Sequence, residues 1–202
     1  IEENPDYILG VLREYQLEQN KLEQEKTNQK NISSIKNLNL AYHPMYLGDS
    51  NSAKVIYEFV DYNCGYCQKF HQELINVMND NSLKLVIIQM PILGNFSEEL
   101  TKLALASSLQ GQFKVVHNYL YSTERKSKME DILADLFLRG VDLDILKNDL
   151  DSQEVSDFLS IHRSYADEFK FTGTPATIIG NQIIPGFIDA DKITEILEKE
   201  FS

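Results

Sequence analysis

The sequence predicts an α/β fold: a sheet with one parallel crossover and a terminal antiparallel hairpin, interrupted by a helical block and preceded by a helical arm. Three observations point there. Two apolar runs, KVIYEFV (54–60) and LKLVIIQM (83–90), flank a stretch of helical periodicity, the layout of a strand–helix–strand crossover. Residues 95 to about 171 carry several helical patterns and little strand signal. Finally ATII (176–179) and QIIPGF (182–187) flank Gly180-Asn181, a two-residue hairpin signal.

The first 42 residues differ in texture from the rest. Asn4 can cap a helix and Pro5 suits its first position. Ile8, Leu12, Tyr15, Gln19, Leu22 and Lys26 then recur at steps of four and three, a sparse stripe on one helix face. Gly10 costs that helix about 1 kcal/mol relative to Ala, so it needs a partner, either its own domain or further copies joined along a coiled-coil-like seam. Residues 21–31 (KLEQEKTNQKN) are polar enough to act as a hinge.

From His43 a short strand and a turn lead into the strand 54–60. Val55, Tyr57 and Phe59 share one face of it and Ile56, Glu58 and Val60 the other, so the strand is expected to be covered on both sides. Cys64 begins a helix whose buried stripe is Cys67, Phe70, Leu74, Val77 and Met78. Pro91 stops the second strand. Helical spacing then appears in LTKLALASSL, MEDILADLFLRG (ended by Gly140), LDILKNDL and VSDFLSIHRSYADEF. Pro185 places the last strand at a sheet edge, and a final helix, 189–200, opens at Asp189 and repeats Ile193, Ile196 and Leu197.

With 202 residues, 43% hydrophobic and 25% charged, the chain suits one globular domain plus a smaller appendage. Its apolar runs fall short of the roughly 20 residues a membrane helix needs. The first residue is Ile1, which leads to the expectation of a processed chain whose targeting segment has been removed. A net charge of −12 and a pI near 4.7 argue against a nucleic-acid partner.

Both cysteines, Cys64 and Cys67, lie where a strand hands over to a helix. Three residues apart, they close too short a loop to staple a domain. At a helix N-terminus, unpaired N–H groups and the helix dipole favour a thiolate, which makes Cys64 the attacking sulfur. Cys67, one turn on and aligned with the buried stripe, is placed to resolve a mixed disulfide. Gly65 and Tyr66 between them supply backbone amides near the sulfur. Other readings stay open: a Cys-Cys-His cluster with His71 holding zinc or copper, or an inert buried pair. Against a metal, the remaining histidines, 43, 117 and 162, are scattered along the chain. Glu58, six residues before Cys64 on an apolar strand, is a candidate proton relay for Cys67; the alternative is a carboxylate at a strand end reaching solvent. Thr174-Pro175 opens the returning strand.

FVDYNCGYC, the helical insert and GTPATIIGNQIIPGF together resemble the DsbA-like branch of the thioredoxin superfamily, over about 43–202. The resemblance implies a thioredoxin fold with an inserted helical subdomain (about 95–171), a redox pair at Cys64 and Cys67, and a cis Thr174-Pro175 peptide facing it. It further implies Glu58 beneath the site and client contacts at Gly65, Tyr66, Thr174 and Pro175. No cofactor or metal is implied. Gly65 and Tyr66 depart from the Pro-His pair of strongly oxidising DsbA enzymes. With the N-terminal segment, CGYC is similar to ScsC and related multimeric DsbA-like proteins of bacteria. The implied function is an extracytoplasmic, periplasmic or similar, thiol-disulfide oxidoreductase acting as an isomerase and also as an oxidase, assembled as a dimer or trimer through residues 1–42. Its partners would be cysteine-containing clients and a membrane or periplasmic redox protein. A simple dithiol oxidase and a copper-binding protein are the alternatives.

Overall fold

A computed structural model describes residues 5–36, 45–79 and 82–202, and the chain divides into two units, 1–39 and 40–202. The expected cap Asn4, the expected boundary near 42 and His43 lie outside the described residues. In the first unit one helix, α1, runs unbroken over Pro5–Lys36. The stretch 21–31, expected to be a hinge, is helical throughout. Glu, Gln and Lys dominate it, and these side chains lose little freedom in a helix, so polarity alone does not break one. At 3.6 residues per turn Ile8, Val11, Leu12, Tyr15 and Leu22 fall within an arc of about 100°, and all five are exposed. Leu9 and Leu17 are exposed outside that arc.

The second unit is built on a five-stranded sheet. Its strands are β1 (Tyr46–Gly48), β2 (Val55–Val60), β3 (Lys84–Gln89), β4 (Ala176–Ile179) and β5 (Gln182–Pro185), in spatial order β1-β3-β2-β4-β5. Only β2 and β3 are parallel, from Val55 opposite Lys84 to Val60 opposite Gln89, with α2 (Gly65–Asn79) as their crossover. The expected hairpin is β4–β5, and β5 with its Pro185 is an edge strand as expected.

Both faces of β2 are covered, as its composition predicts. Ile56 and Val60 join Leu85, Ile87 and Ile179 in the main core with Phe70 and Leu74 of α2. On the opposite face Phe59 meets Phe171 and Phe169 edge-on, with ring centroids 4.7 and 6.1 Å away. Met78, expected in the buried stripe of α2, is half-buried at its margin. Gly48 ends β1 at φ +81°, and a Cβ there would run into the Leu83 carbonyl oxygen, so only glycine fits.

The expected helical insert consists of α3 (Asn95–Leu109), α4 (Phe113–Leu120), α5 (Met129–Leu138), α6 (Leu143–Leu150) and α7 (Gln153–Glu168). Of these, α4 is absent from the sequence reading. It is only two turns long, and two polar-looking residues, His117 and Tyr119, occupy buried positions and blur the apolar stripe of Phe113, Val116 and Leu120. The final helix α8 (Ala190–Phe201) is capped by Asp189, whose Oδ1 accepts from the Lys192 amide at 2.9 Å. Asp189→Ala is expected to lower the unfolding free energy by about 1 kcal/mol, seen as a lower urea midpoint at unchanged slope.

Candidate functional site

The turn from β2 into α2 is held by Asp61. Its fully buried carboxylate accepts from the Asn63 amide at 2.8 Å and, across to the segment after β3, from the Ile92 and Leu93 amides at 2.8 and 2.9 Å. Its carbonyl accepts from the Cys64 amide at 3.0 Å. That bonding places Cys64 immediately before the first residue of α2, in the N-cap position. There the Cys64 carbonyl accepts from the Gln68 amide at 3.2 Å, and its Sγ accepts from the Cys67 amide at 3.4 Å. A sulfur thus does what a Ser or Asp oxygen does at an ordinary cap, and a thiolate would do it better.

Both cysteines are free. Cys64 is half-buried, whereas Cys67 is wholly buried, and that burial pushes its thiol far above the ordinary range despite hydrogen bonds that pull the other way. The Thr174-Pro175 peptide is cis, and the Thr174 carbonyl oxygen lies 3.5 Å from Cys64 Sγ. Gly65 is exposed and Tyr66 is 65% exposed, so the mouth of the site is open to a large partner. Ile92 and Leu93, tied to Asp61, add exposed apolar surface that the sequence reading did not single out, as does Phe187, whose ring lies 6.1 Å from that of Phe70 on α2.

Glu58 is fully buried, so the reading of a carboxylate reaching solvent does not hold. The reason is its central strand: Glu58 pairs with Ile87 of β3 on one side and Thr177 of β4 on the other. Its Oε2 lies 3.2 Å from His71 Nδ1, while among the described residues Oε1 has no hydrogen-bond partner, nor do the buried Thr177 Oγ1 and Tyr121 Oη. Tyr121 stacks on His71 with centroids 4.9 Å apart. Burial raises its phenol, and the nearby charges of Glu58 and the two cysteines raise it further.

The histidines are less scattered than their spacing in sequence implies. His117, on the unanticipated α4, sets Nε2 3.3 Å from His71 Nε2, and its Nδ1 lies 2.8 Å from Tyr62 Oη. Tyr62 Oη accepts from Gln89 Nε2 at 3.2 Å. His162 serves elsewhere, its Nδ1 accepting from the Gln89 amide at 3.0 Å. Burial, and then the neighbouring His71, hold the His117 ring well below the ordinary imidazole range. With a depressed folded-state value, this ring contributes stability above about pH 6.5 that is lost as pH falls, because the unfolded chain takes up the proton first. The loss from this group is up to about 1.4 kcal/mol per pH unit. Urea midpoints taken from neutral to mildly acid pH should fall less steeply in His117→Phe than in the parent.

Among the described residues, no group of three or more His, Cys, Asp or Glu side chains is arranged to hold a metal ion. Both ring nitrogens of His71 face Glu58 and His117.

The family model described as thioredoxin matches residues 41–199. A probable disulfide bond formation protein D of Bacillus cereus is 23% identical over 169 residues, covering 76% of this chain and 77% of its own. Among solved structures, the thiol-disulfide exchange protein α-DsbA2 of Wolbachia pipientis is 25% identical with a TM-score of 0.77, covering 87% of this chain and 97% of its own. A linker-deleted variant of ScsC from Proteus mirabilis has the same fold, with a TM-score of 0.76 at 20% identity over 97% of this chain and 94% of its own.

Proposed function

The chain belongs to the thioredoxin family, and from that premise we propose that this DsbA-like thiol-disulfide oxidoreductase acts outside the cytoplasm as a protein disulfide isomerase. The observation that carries the chemistry is Cys64 Sγ at the α2 N-cap, accepting from the Cys67 amide. In the proposed cycle the Cys64 thiolate attacks a client disulfide, forming a mixed disulfide and freeing a client thiolate. That thiolate attacks another client disulfide, and a client thiolate then displaces Cys64, so pairings change with no net electron transfer. When the client stalls, Cys67 gives its proton to Glu58 and attacks Cys64 Sγ. The client leaves with two more electrons, and the Cys64–Cys67 disulfide forms. Run in reverse, the same step oxidises a client. Thr174 and Pro175 hold the client backbone in extended form beside the sulfur, and Gly65 and Tyr66 line its path.

Isomerisation gains from several sites facing one client, and the exposed apolar arc of α1 supports assembly of two or three copies. Full chain and a chain beginning at residue 43 should be compared for recovery of activity from scrambled ribonuclease, with molar mass measured for each. The full chain is expected to be multimeric and several-fold more effective; equal recovery would sink the assembly argument. The likeness to the Bacillus disulfide bond formation protein favours a second reading, a dithiol oxidase kept oxidised by a membrane redox partner. Redox state in cells separates them, since an isomerase must be largely reduced.

A further inference from the structure

The buried polar groups beneath the cysteines form a chain whose hydrogens are assigned once Glu58, the proton acceptor of the proposed cycle, is taken as its accepting end. Gln89 Nε2 donates to Tyr62 Oη, and with the chain running toward Glu58 that hydroxyl donates onward to His117 Nδ1, 2.8 Å away. Gln89 Oε1, 3.3 Å from the Thr101 hydroxyl, accepts there, an orientation that agrees with the rest of the chain. An imidazole whose Nδ1 accepts carries its hydrogen on Nε2, so His117 donates to His71 Nε2 across 3.3 Å. His71 in turn holds its single hydrogen on Nδ1 and donates it to Glu58 Oε2 at 3.2 Å. Each donor is used once, all in one direction, and the chain ends on the carboxylate.

We propose that His71 and His117 are positioning residues for the resolving step: they lock Glu58 Oε2 and leave Oε1, which has no partner among the described residues, free to take the proton of Cys67. This rests on the reading of Cys67 as the resolving thiol. An extra hydrogen on His71 Nε2 would point at the one already on His117 Nε2. The depressed basicity of His117 agrees with its place in the chain. The groups facing this pair are Glu58 from β2, Tyr62 from the turn after it, and Phe113 and Tyr121 from the two ends of α4. Gln89 on β3 and Thr101 on α3 close the far end. Arg125 is turned to the Tyr62 carbonyl at 3.1 Å, with the carboxylate of Asp61 as its nearby opposite charge.

The first test needs no substitution at the site. Nitrogen-15 NMR of the histidine rings in the reduced full chain at neutral pH should find His71 with its hydrogen on Nδ1 and His117 with its hydrogen on Nε2. His71 carrying its hydrogen on Nε2, or doubly protonated, would overturn the proposal. The second test is a single turnover of reduced protein with the aromatic disulfide dithiobis(nitrobenzoate). Cys64 displaces one nitrothiobenzoate and becomes the mixed disulfide; Cys67, its proton passed to Glu58, then displaces the second as the internal disulfide closes. His71→Leu is expected to slow the second release about tenfold at neutral pH, with recovery as pH rises and the first release unchanged. His71→Asn, whose amide stands where Nδ1–H stood, should stay within about twofold of the parent. Equal slowing in both variants, or in neither, overturns the proposal. Cys67→Ser is the control for the underlying reading: if it keeps the second release, the resolving role has failed, whatever the histidines do.

Discussion

Cys67→Ser is expected to stall the protein as a mixed disulfide, whereas Cys64→Ser should abolish exchange. Mixed with oxidised glutathione, the Cys67→Ser chain should accumulate a glutathione adduct on Cys64, readable by intact mass, while the parent proceeds to its internal disulfide. Cys64→Ser should lower the rate of thiol release by on the order of a thousandfold or more. The asymmetry follows from placement. Cys64 is half-exposed and sits at a helix N-terminus with an amide hydrogen on its sulfur, so a disulfide arriving from solution can reach it. Cys67 is fully enclosed, and burial keeps its thiol protonated far into the alkaline range. It can react with a sulfur already bonded to Cys64 but not with one arriving from solution. Adducts on Cys67 in the Cys64→Ser chain, forming at a rate near the parent's, would contradict this assignment.

The same raised thiol predicts a pH dependence of stability in the reduced protein. A folded-state value above the unfolded one means that Cys67 contributes stability that is complete below about pH 8.5 and fades as pH climbs toward the folded value. Oxidation to the internal disulfide removes this term. The difference in urea midpoint between reduced and oxidised chains is therefore expected to change on the alkaline side, as the Cys67 contribution fades.

What could be read from the sequence was whatever depends on neighbours along the chain. β2, β3 and β4 are continuous apolar runs, and a strand buried on both faces needs no tertiary information to be recognised. Cys64 and Cys67 are legible because a cap, a first helical turn and a buried stripe are all local. Glu58 stood out as a charge on an otherwise apolar strand. Its partners did not, since His71 and His117 are 46 residues apart and meet only because α4 packs beside α2. The helix that brings His117 there was itself hidden, because the polar residues that face this network weaken the apolar pattern by which a helix is found. Residues 21–31 erred the other way: a polar stretch looked like a hinge, although its side chains are good helix formers.

Asp61 was equally hidden, an acidic residue in a turn that reads as solvent-facing, and its removal is the largest stability effect expected here. Asp61→Ala should lower the unfolding free energy by about 3–5 kcal/mol. The carboxylate is fully buried and receives three backbone amides, from Asn63, Ile92 and Leu93. Alanine would leave all three without that acceptor, and a hydrogen bond to a charged group is worth about 1.5–3 kcal/mol. The effects overlap because one local opening would expose all of them together, which is why the expected loss is below their sum. Asp61→Asn should recover little. An asparagine offers one oxygen, which can serve Asn63 or the Ile92–Leu93 pair but not both, and its NH₂ would face amide hydrogens on the other side. The loss should also reach the chemistry, since the Asp61 carbonyl holds the Cys64 amide and so the cap geometry of the sulfur. Urea denaturation gives the free energy, and hydrogen exchange at Ile92 and Leu93 shows whether the opening is local. In the variant those two amides should exchange faster than the core of β3, and Cys64 should react more slowly with a small disulfide. A loss under about 1 kcal/mol, with both amides still protected, would mean that the turn is held by the packing of Tyr62 and Cys67 rather than by the carboxylate.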